Sequence, residues 1–238
     1  MPTKRKKILA IIPARGNSKG IPLKAIKSFC GKPMIYYTLK EAKKSGVFDK
    51  IAVSTDSSKI AALAKKLGAE VPYLRPEHLA RDNSRVADAV IHLLKFLQAR
   101  EGYKPDIIFL LQVTSPLRDS TDILESYEMF CREKAVALTS VCKKKNQILN
   151  IGGGRIETIK GGVLNRESSP DAFEQDGMIY IIDSQFFLKH KIFEPEGKTI
   201  AYIPSRWKSV DIDDKEDFIL AEVLYKNRTI LKKYEKLG

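Results

Sequence analysis

The sequence has 238 residues, of which 43% are hydrophobic and 30% charged, so a sizeable core is available and a globally disordered chain is excluded. No apolar run approaches the roughly 20 residues that span a bilayer, and no membrane-spanning helix is expected. The formal net charge of +13 is spread along the whole chain with no aromatic-interleaved cluster, which argues against nucleic acid as a partner and suits small anionic ligands.

The chain opens with Lys4, Arg5, Lys6 and Lys7, like the start of a signal peptide. The apolar run that follows, residues 8–12 before Pro13, is shorter than the roughly 7–15 residues of such a segment. A cytoplasmic protein is therefore expected, and residues 8–12 read as a buried first strand. Pro33 stands at the first position of a helix through Met34, Leu39 and Ala42 that stops at Gly46. Residues 50–55 read as a second strand. Asp56, Ser57 and Ser58 offer caps for a helix ending at Gly68, and residues 70–74 read as a third strand. Val86, Ala89, Val90, Leu93, Leu94 and Leu97 fall at helical spacing.

Residues 106–112 (DIIFLLQ) are apolar on both faces, as in a central parallel strand. A helix over 121–132 and a strand over 135–142 continue the alternation. This order predicts an α/β fold, a doubly wound parallel sheet with helices on both faces. Ligands bind such sheets at the carboxyl ends of the strands, so the loops after Ile12, Thr55 and Gln112 should line one cleft. From 143 to 176 the pattern changes: Gly152, Gly153 and Gly154 form a hairpin signal, and a polar loop passes through Asn165 and Pro170. This stretch reads as a small insertion in a single domain covering 1–238. The sheet resumes over 178–183, and a helix follows Asp213. Cys30, Cys131 and Cys142 lack any CxxC spacing and are expected as buried thiols, neither disulfides nor zinc ligands.

The first loop, PARGNSKGIPLK over 13–24, concentrates chemistry. Gly16 and Gly20 let backbone approach a ligand, and Arg15, Lys19 and Lys24 can neutralise phosphate. It does not fit the P-loop pattern. Residues 16–20 do match G-x-S-x-G, but Pro22 and a polar stretch intervene before any helix, which speaks against a nucleophile elbow. The bases available to a hydrolase would be His78, His92 or His190, and His92 falls off the apolar stripe of its helix, as a solvated residue would.

Taken in order, IIPARGNSKGIPLK, VSTDS (53–57), LRPEHLARDNS (74–84), LLQVTSPLR (110–118), DGMIYI (176–181) and SVDID (209–213) resemble the acylneuraminate cytidylyltransferases, or CMP-sialic acid synthetases. The resemblance runs from about Ile8 to Leu224. It implies a Rossmann-like nucleotidyltransferase sheet with a small lobe at 143–176 through which two subunits form a homodimer. It also implies Mg²⁺-dependent transfer of CMP from CTP to a 2-keto-3-deoxy sugar acid, with release of pyrophosphate. By the same resemblance Ala14, Arg15 and Lys24 hold the nucleotide and its phosphates, Arg75 and Ser84 flank the cytidine, and Gln112, Thr114 and Ser115 face the sugar. Arg166 corresponds to an arginine that reaches the sugar from the dimerisation lobe, and Asp211 and Asp213 to the metal-binding pair. Arg15, Lys24 and Asp211 are the residues expected to carry catalysis.

Three departures from the family pattern stand out. Ala25 stands where an asparagine is usual, Asp176 replaces the asparagine of NGAIY, and 165–170 read NRESSP instead of an arginine-rich, Leu-Pro-containing approach. The last two lie toward the sugar, so legionaminic, pseudaminic or Kdo-type acids are alternatives to a sialic acid. A non-catalytic nucleotide- or RNA-binding relative is the alternative outside the enzyme class. Strand geometry points Asp211 and Asp213, at i and i+2, to one side, which fits a shared ion. Asp213 and Glu216 also have capping-box spacing, so a purely structural role for Asp213 competes with the metal role.

Overall fold

A computed structural model describes residues 5–17, 20–144, 149–152, 155–158 and 172–235. The first apolar run forms β1 (Ile8–Pro13). Its alternation sets the layering: Ile8, Ala10 and Ile12 enter one core cluster, and Leu9 and Ile11 enter another on the opposite face. The short β2 (Ser28–Phe29) and β3 (Lys32–Pro33) lead into α1 (Met34–Ser45), which ends at Gly46. Next come β4 (Lys50–Ser54) and α2 (Ser58–Lys66), whose N-cap Ser57 accepts from the Ile60 N–H. They are followed by α3 (Val86–Glu101), β5 (Ile107–Leu110), α4 (Ser120–Arg132) and β6 (Ala137–Lys144).

β7 (Leu149–Gly152) and β8 (Arg155–Thr158) pair antiparallel, in keeping with the hairpin signal; Gly153 and Gly154 lie outside the described residues. The chain continues through β9 (Ala172–Asp183), α5 (Ser184–His190), β10 (Thr199–Tyr202), α6 (Lys215–Lys226) and α7 (Arg228–Glu235).

Six strands form the main sheet in the order β10-β6-β9-β5-β1-β4. β1 runs parallel to β4 and β5, and β10 parallel to β6. One face is covered by α1, α2, α4 and α6 through Leu39, Ile60, Ile123 and Phe218, the other by α3 and α5 through Val90, Leu93, Leu97 and Phe187. Each such side chain removed from water contributes about 1.5–3 kcal/mol, so the two layers hold the strand ends, and the loops they carry, in fixed register. The expected α/β, Rossmann-like architecture is present.

Four expectations change. The sheet is not wholly parallel, because β9 is antiparallel to both β5 and β6. A parallel return needs a crossover, usually helical, and no helix lies between β6 and β9 among the described residues. Residues 70–74 make only isolated bridges, Ala52–Glu70 and Thr55–Leu74, since Pro72 has no N–H to continue a ladder. The cysteines are not buried: Cys131 is exposed, and Cys30 and Cys142 are partly exposed. His92 is not a freely solvated side chain either, since its Nδ1 lies 2.7 Å from the Tyr73 hydroxyl. The edge strand β10, four residues long, was not anticipated from the sequence.

Candidate functional site

A cleft of about 540 Å³ opens at the carboxyl ends of β1 and β5. Its lining comes from the first loop (Ala14, Arg15, Asn17, Gly20 and Lys24), from Arg75, Asp82 and Ser84, from Gln112 and Thr114, and from Asp213. Segments more than 190 residues apart in the chain thus meet at one edge of the sheet, as strand-end loops do. The loop after β4 stands behind the cleft. Asp56 holds the first loop from there, accepting from the Gly16 N–H at 2.8 Å.

The far end of the first loop lies directly on the segment before α6. A Cβ at position 20 would overlap the Asp213 carbonyl oxygen, so only glycine permits this approach. Lys24 is buried beside it, its ammonium donating to the Ile212 carbonyl and lying 3.4 Å from Asp213 Oδ1. Lys24 therefore joins the phosphate-type loop to the carboxylate segment. Arg15 crosses the cleft, donating through Nη1 to the Arg81 carbonyl at 3.0 Å and to Asp82 Oδ1 at 3.3 Å. Arg75 is buried, with Nε bonded to Ser54 Oγ at 3.1 Å and Nη2 to the Ser54 carbonyl. Burial lowers its pKa, and Asp56 opposes that shift. The Ser84 hydroxyl donates to the His78 carbonyl at 2.8 Å, fixing the turn that carries it to the rim.

The carboxylate segment is an extended strip attached to the end of β5. The Ile212 N–H donates to the Thr114 carbonyl at 2.9 Å, and Ile212 itself is fully buried. Asp211 and Asp213 flank it but meet different surroundings. Asp213 is 82% exposed and faces the cleft. Asp211 lies inward and hydrogen-bonds with Thr114; burial pushes its carboxyl above the usual carboxylate range, reinforced by Asp213 and Asp176. Its Oδ1 is buried without a hydrogen-bond partner among the described residues. A buried carboxylate oxygen without a donor suits a hard cation, so the pair fits Mg²⁺ held by few protein oxygens, with phosphates and water completing the shell. Among the described residues no three His, Cys, Asp or Glu side chains form a preformed cage.

The alternative role for Asp213 goes to its neighbour. Asp214 is the N-cap of α6, accepting from the Glu216 and Asp217 N–H groups, and Asp217 closes the box. Of the remaining expected residues, Gln112 and Thr114 line the cleft, whereas Ser115 is fully buried and does not. Arg166, Lys19 and residues 165–170 fall outside the described residues.

Sequence reasoning missed two side chains of the site, one buried beneath it and one on its exposed lining. Arg118 is fully buried; its Nη2 donates to the Gln112 carbonyl at 3.1 Å and its Nη1 to the Met178 carbonyl, and burial lowers its pKa to about 10. Asp82, the partner of Arg15, is the second. Both lie inside quoted motifs, LLQVTSPLR and LARDNS, but their pairing depends on folding and has no signature in spacing.

The description "Cytidylyltransferase" belongs to the family model that matches residues 9–234. A CMP-N,N'-diacetyllegionaminic acid synthase of Legionella pneumophila is 33% identical over 229 residues, which span 92% of this chain and 96% of that protein. An N-acylneuraminate cytidylyltransferase of Escherichia coli is 35% identical over 98% of this chain, although the chain spans only 56% of that longer protein. A solved CMP:2-keto-3-deoxy-manno-octonic acid synthetase complexed with CTP shares the fold with a TM-score of 0.70 at 14% identity, covering 93% of this chain and 99% of that one. The family match begins inside β1 and ends inside α7, so the chain belongs to the cytidylyltransferase family.

Proposed function

We propose that the cleft transfers CMP from CTP to the anomeric hydroxyl of a 2-keto-3-deoxy sugar acid of the nonulosonate type, releasing pyrophosphate, with Mg²⁺ as cofactor. The observation that carries this reading is the meeting of a glycine-containing basic loop with an exposed and a buried aspartate, joined by Lys24. Family membership supports it, and so do the sugar acids in the relatives' names.

In this reading the sugar hydroxyl oxygen forms a bond to the α-phosphorus and passes its proton to water, while the bond from that phosphorus to the pyrophosphate oxygen breaks in line. The protein's task is positioning and charge neutralisation. Arg15 presents a planar guanidinium to phosphate oxygens, and Lys24 fixes the loop at the height of the carboxylates. Of the residues that line the cleft, Arg75 and Ser84 would take the nucleotide, and Gln112 and Thr114 the sugar. Asp211 and Asp213 would hold the Mg²⁺, whose contribution is to neutralise the triphosphate and the departing pyrophosphate. The proposed dimerisation lobe over 143–176 would bring Arg166, suited to bidentate capture of a carboxylate, to the sugar.

The test is pyrophosphate release from CTP with a panel of N-acetylneuraminic, legionaminic, pseudaminic and Kdo acids. Release with at least one acid, dependent on Mg²⁺ and poor with ATP or GTP, is expected. Equal turnover with GTP, or no release with any acid, overturns the proposal.

A further inference from the structure

The pairing of β6 with β9 breaks at one place. Thr139 pairs with Tyr180 and Val141 with Gln175, so the single residue Ser140 faces the four residues 176–179. A ladder interrupted in this way leaves backbone groups without partners, and here two side chains supply them. Ser140 Oγ accepts from the Ile179 N–H at 2.8 Å and donates to Asp176 Oδ1. Asp176 Oδ1 in turn accepts from the Met178 N–H at 3.1 Å. Asp176 is only 3% exposed, and its Oδ2 has no hydrogen-bond partner among the described residues. The equally buried Arg118, whose charge is supported first by Asp122 and then by Asp176, ties the bulge at Met178 to the cleft wall at Gln112 through its two bonds.

The apex of this bulge is Gly177, in a left-handed conformation with φ of +68°. It lies against Asp211: a Cβ built there would stand 3.0 Å from Asp211 Oδ2 and 3.3 Å from its Cγ. The left-handed backbone therefore favours glycine, and any Cβ there would push against the Asp211 carboxylate.

We infer that the Ser140–Asp176–Gly177 bulge is a positioning device for Asp211: Asp176 locks the backbone so that Gly177 backs the Asp211 carboxylate and holds its orphaned oxygen in place for the divalent cation. This inference rests on the metal reading above. Asp176 acts through the backbone it fixes, as outer partners of metal ligands do, and the loss of such partners weakens metal binding about 10–100-fold. It also gives the Asp-Gly at 176–177 a use. Asparagine could accept the same two hydrogen bonds, whereas alanine could accept neither.

The test is Mn²⁺ binding in the presence of CTP, followed through the EPR signal of free Mn²⁺, with Tm measured alongside. Asp176→Ala, Ser140→Ala and Gly177→Ala should each weaken Mn²⁺ binding about tenfold or more. Asp176→Asn, which keeps the bonds, should stay close to wild type. Wild-type Mn²⁺ affinity in folded Gly177→Ala or Ser140→Ala, whatever the change in Tm, overturns the inference and leaves the bulge a structural feature. Loss of binding in Asp176→Asn equal to that in Asp176→Ala also overturns it, because charge and not backbone position would then be decisive. Asp211→Asn separates the two levels: if that variant binds Mn²⁺ like wild type, the metal reading itself fails.

Discussion

Arg15 and Lys24 share a loop but not an environment. Arg15 spans the open cleft to the backbone at Arg81 and to Asp82, whereas Lys24 is buried against Ile212. If both contact phosphate chiefly in the transition state, Arg15→Ala and Lys24→Ala should each cost about 3 kcal/mol there, on the order of a hundredfold in kcat/KM. Lys24→Ala should also lower Tm, because it releases the loop from the carboxylate segment; Arg15→Ala should leave Tm nearly unchanged. Steady-state kinetics beside calorimetry checks both, and near-normal turnover in the two variants would reduce the loop to a surface turn. The aspartates separate in the same way. Asp211→Asn and Asp213→Asn should fold normally and lose most activity at limiting Mg²⁺, and EDTA should abolish the wild-type reaction. Asp214→Ala should do the opposite, keeping turnover while losing about 1 kcal/mol of stability through the N-cap of α6.

The elements around the site are locked by buried polar contacts as well as by apolar packing. Lys208, between β10 and α6, places its ammonium 2.9 Å from Asp122 and 3.2 Å from Asp119 at the start of α4. Burial pushes the Asp122 carboxyl up to about 6 against the pull of Lys208, while Lys232 and Lys208 hold Asp119 well below the usual range. Removing the cation leaves Asp122 buried without its counter-charge, so Lys208→Ala should cost about 3 kcal/mol, read as a drop in the denaturant midpoint. A change below 1 kcal/mol would mean that water replaces the ammonium. Legibility at this scale followed local chemistry. α1, α2 and α3 announced themselves through terminal residues or 3.6-residue periodicity. The direction of β9 and the failure of a strand at 70–74 did not, because strand pairing is settled by non-local partners and by the single missing N–H of Pro72.

At the scale of the molecule, the proposal has a second copy of the chain completing the sugar site. The expectation is a homodimer, with a sedimentation mass near twice 26.8 kDa. Arg166→Ala should then raise the Michaelis constant for the sugar acid several-fold with little change in that for CTP, the signature of a lost carboxylate contact. A monomer with full activity would contradict the assembly, and an unchanged sugar constant would contradict the role of Arg166. The surplus of positive charge belongs to the same scale: a field that draws in a triphosphate and a carboxylate should make kcat/KM fall as salt rises.

The sequence by itself determined the alternation of strands and helices, the two-faced apolar β1 and β5, and the family, because these depend on periodicity and on motifs that survive in order along the chain. It also named half of the cleft lining: Ala14, Arg15, Lys24, Arg75, Ser84, Gln112, Thr114 and Asp213. Only the tertiary structure decided how these residues are used. It made Asp214 the helix cap and left Asp213 facing the cleft; it buried Ser115; and it joined Arg118, Asp176 and Ser140 into the support behind Asp211. Those outcomes turn on burial and on hydrogen bonds between segments far apart in the chain, and neither quantity exists until the sheet has brought the segments together.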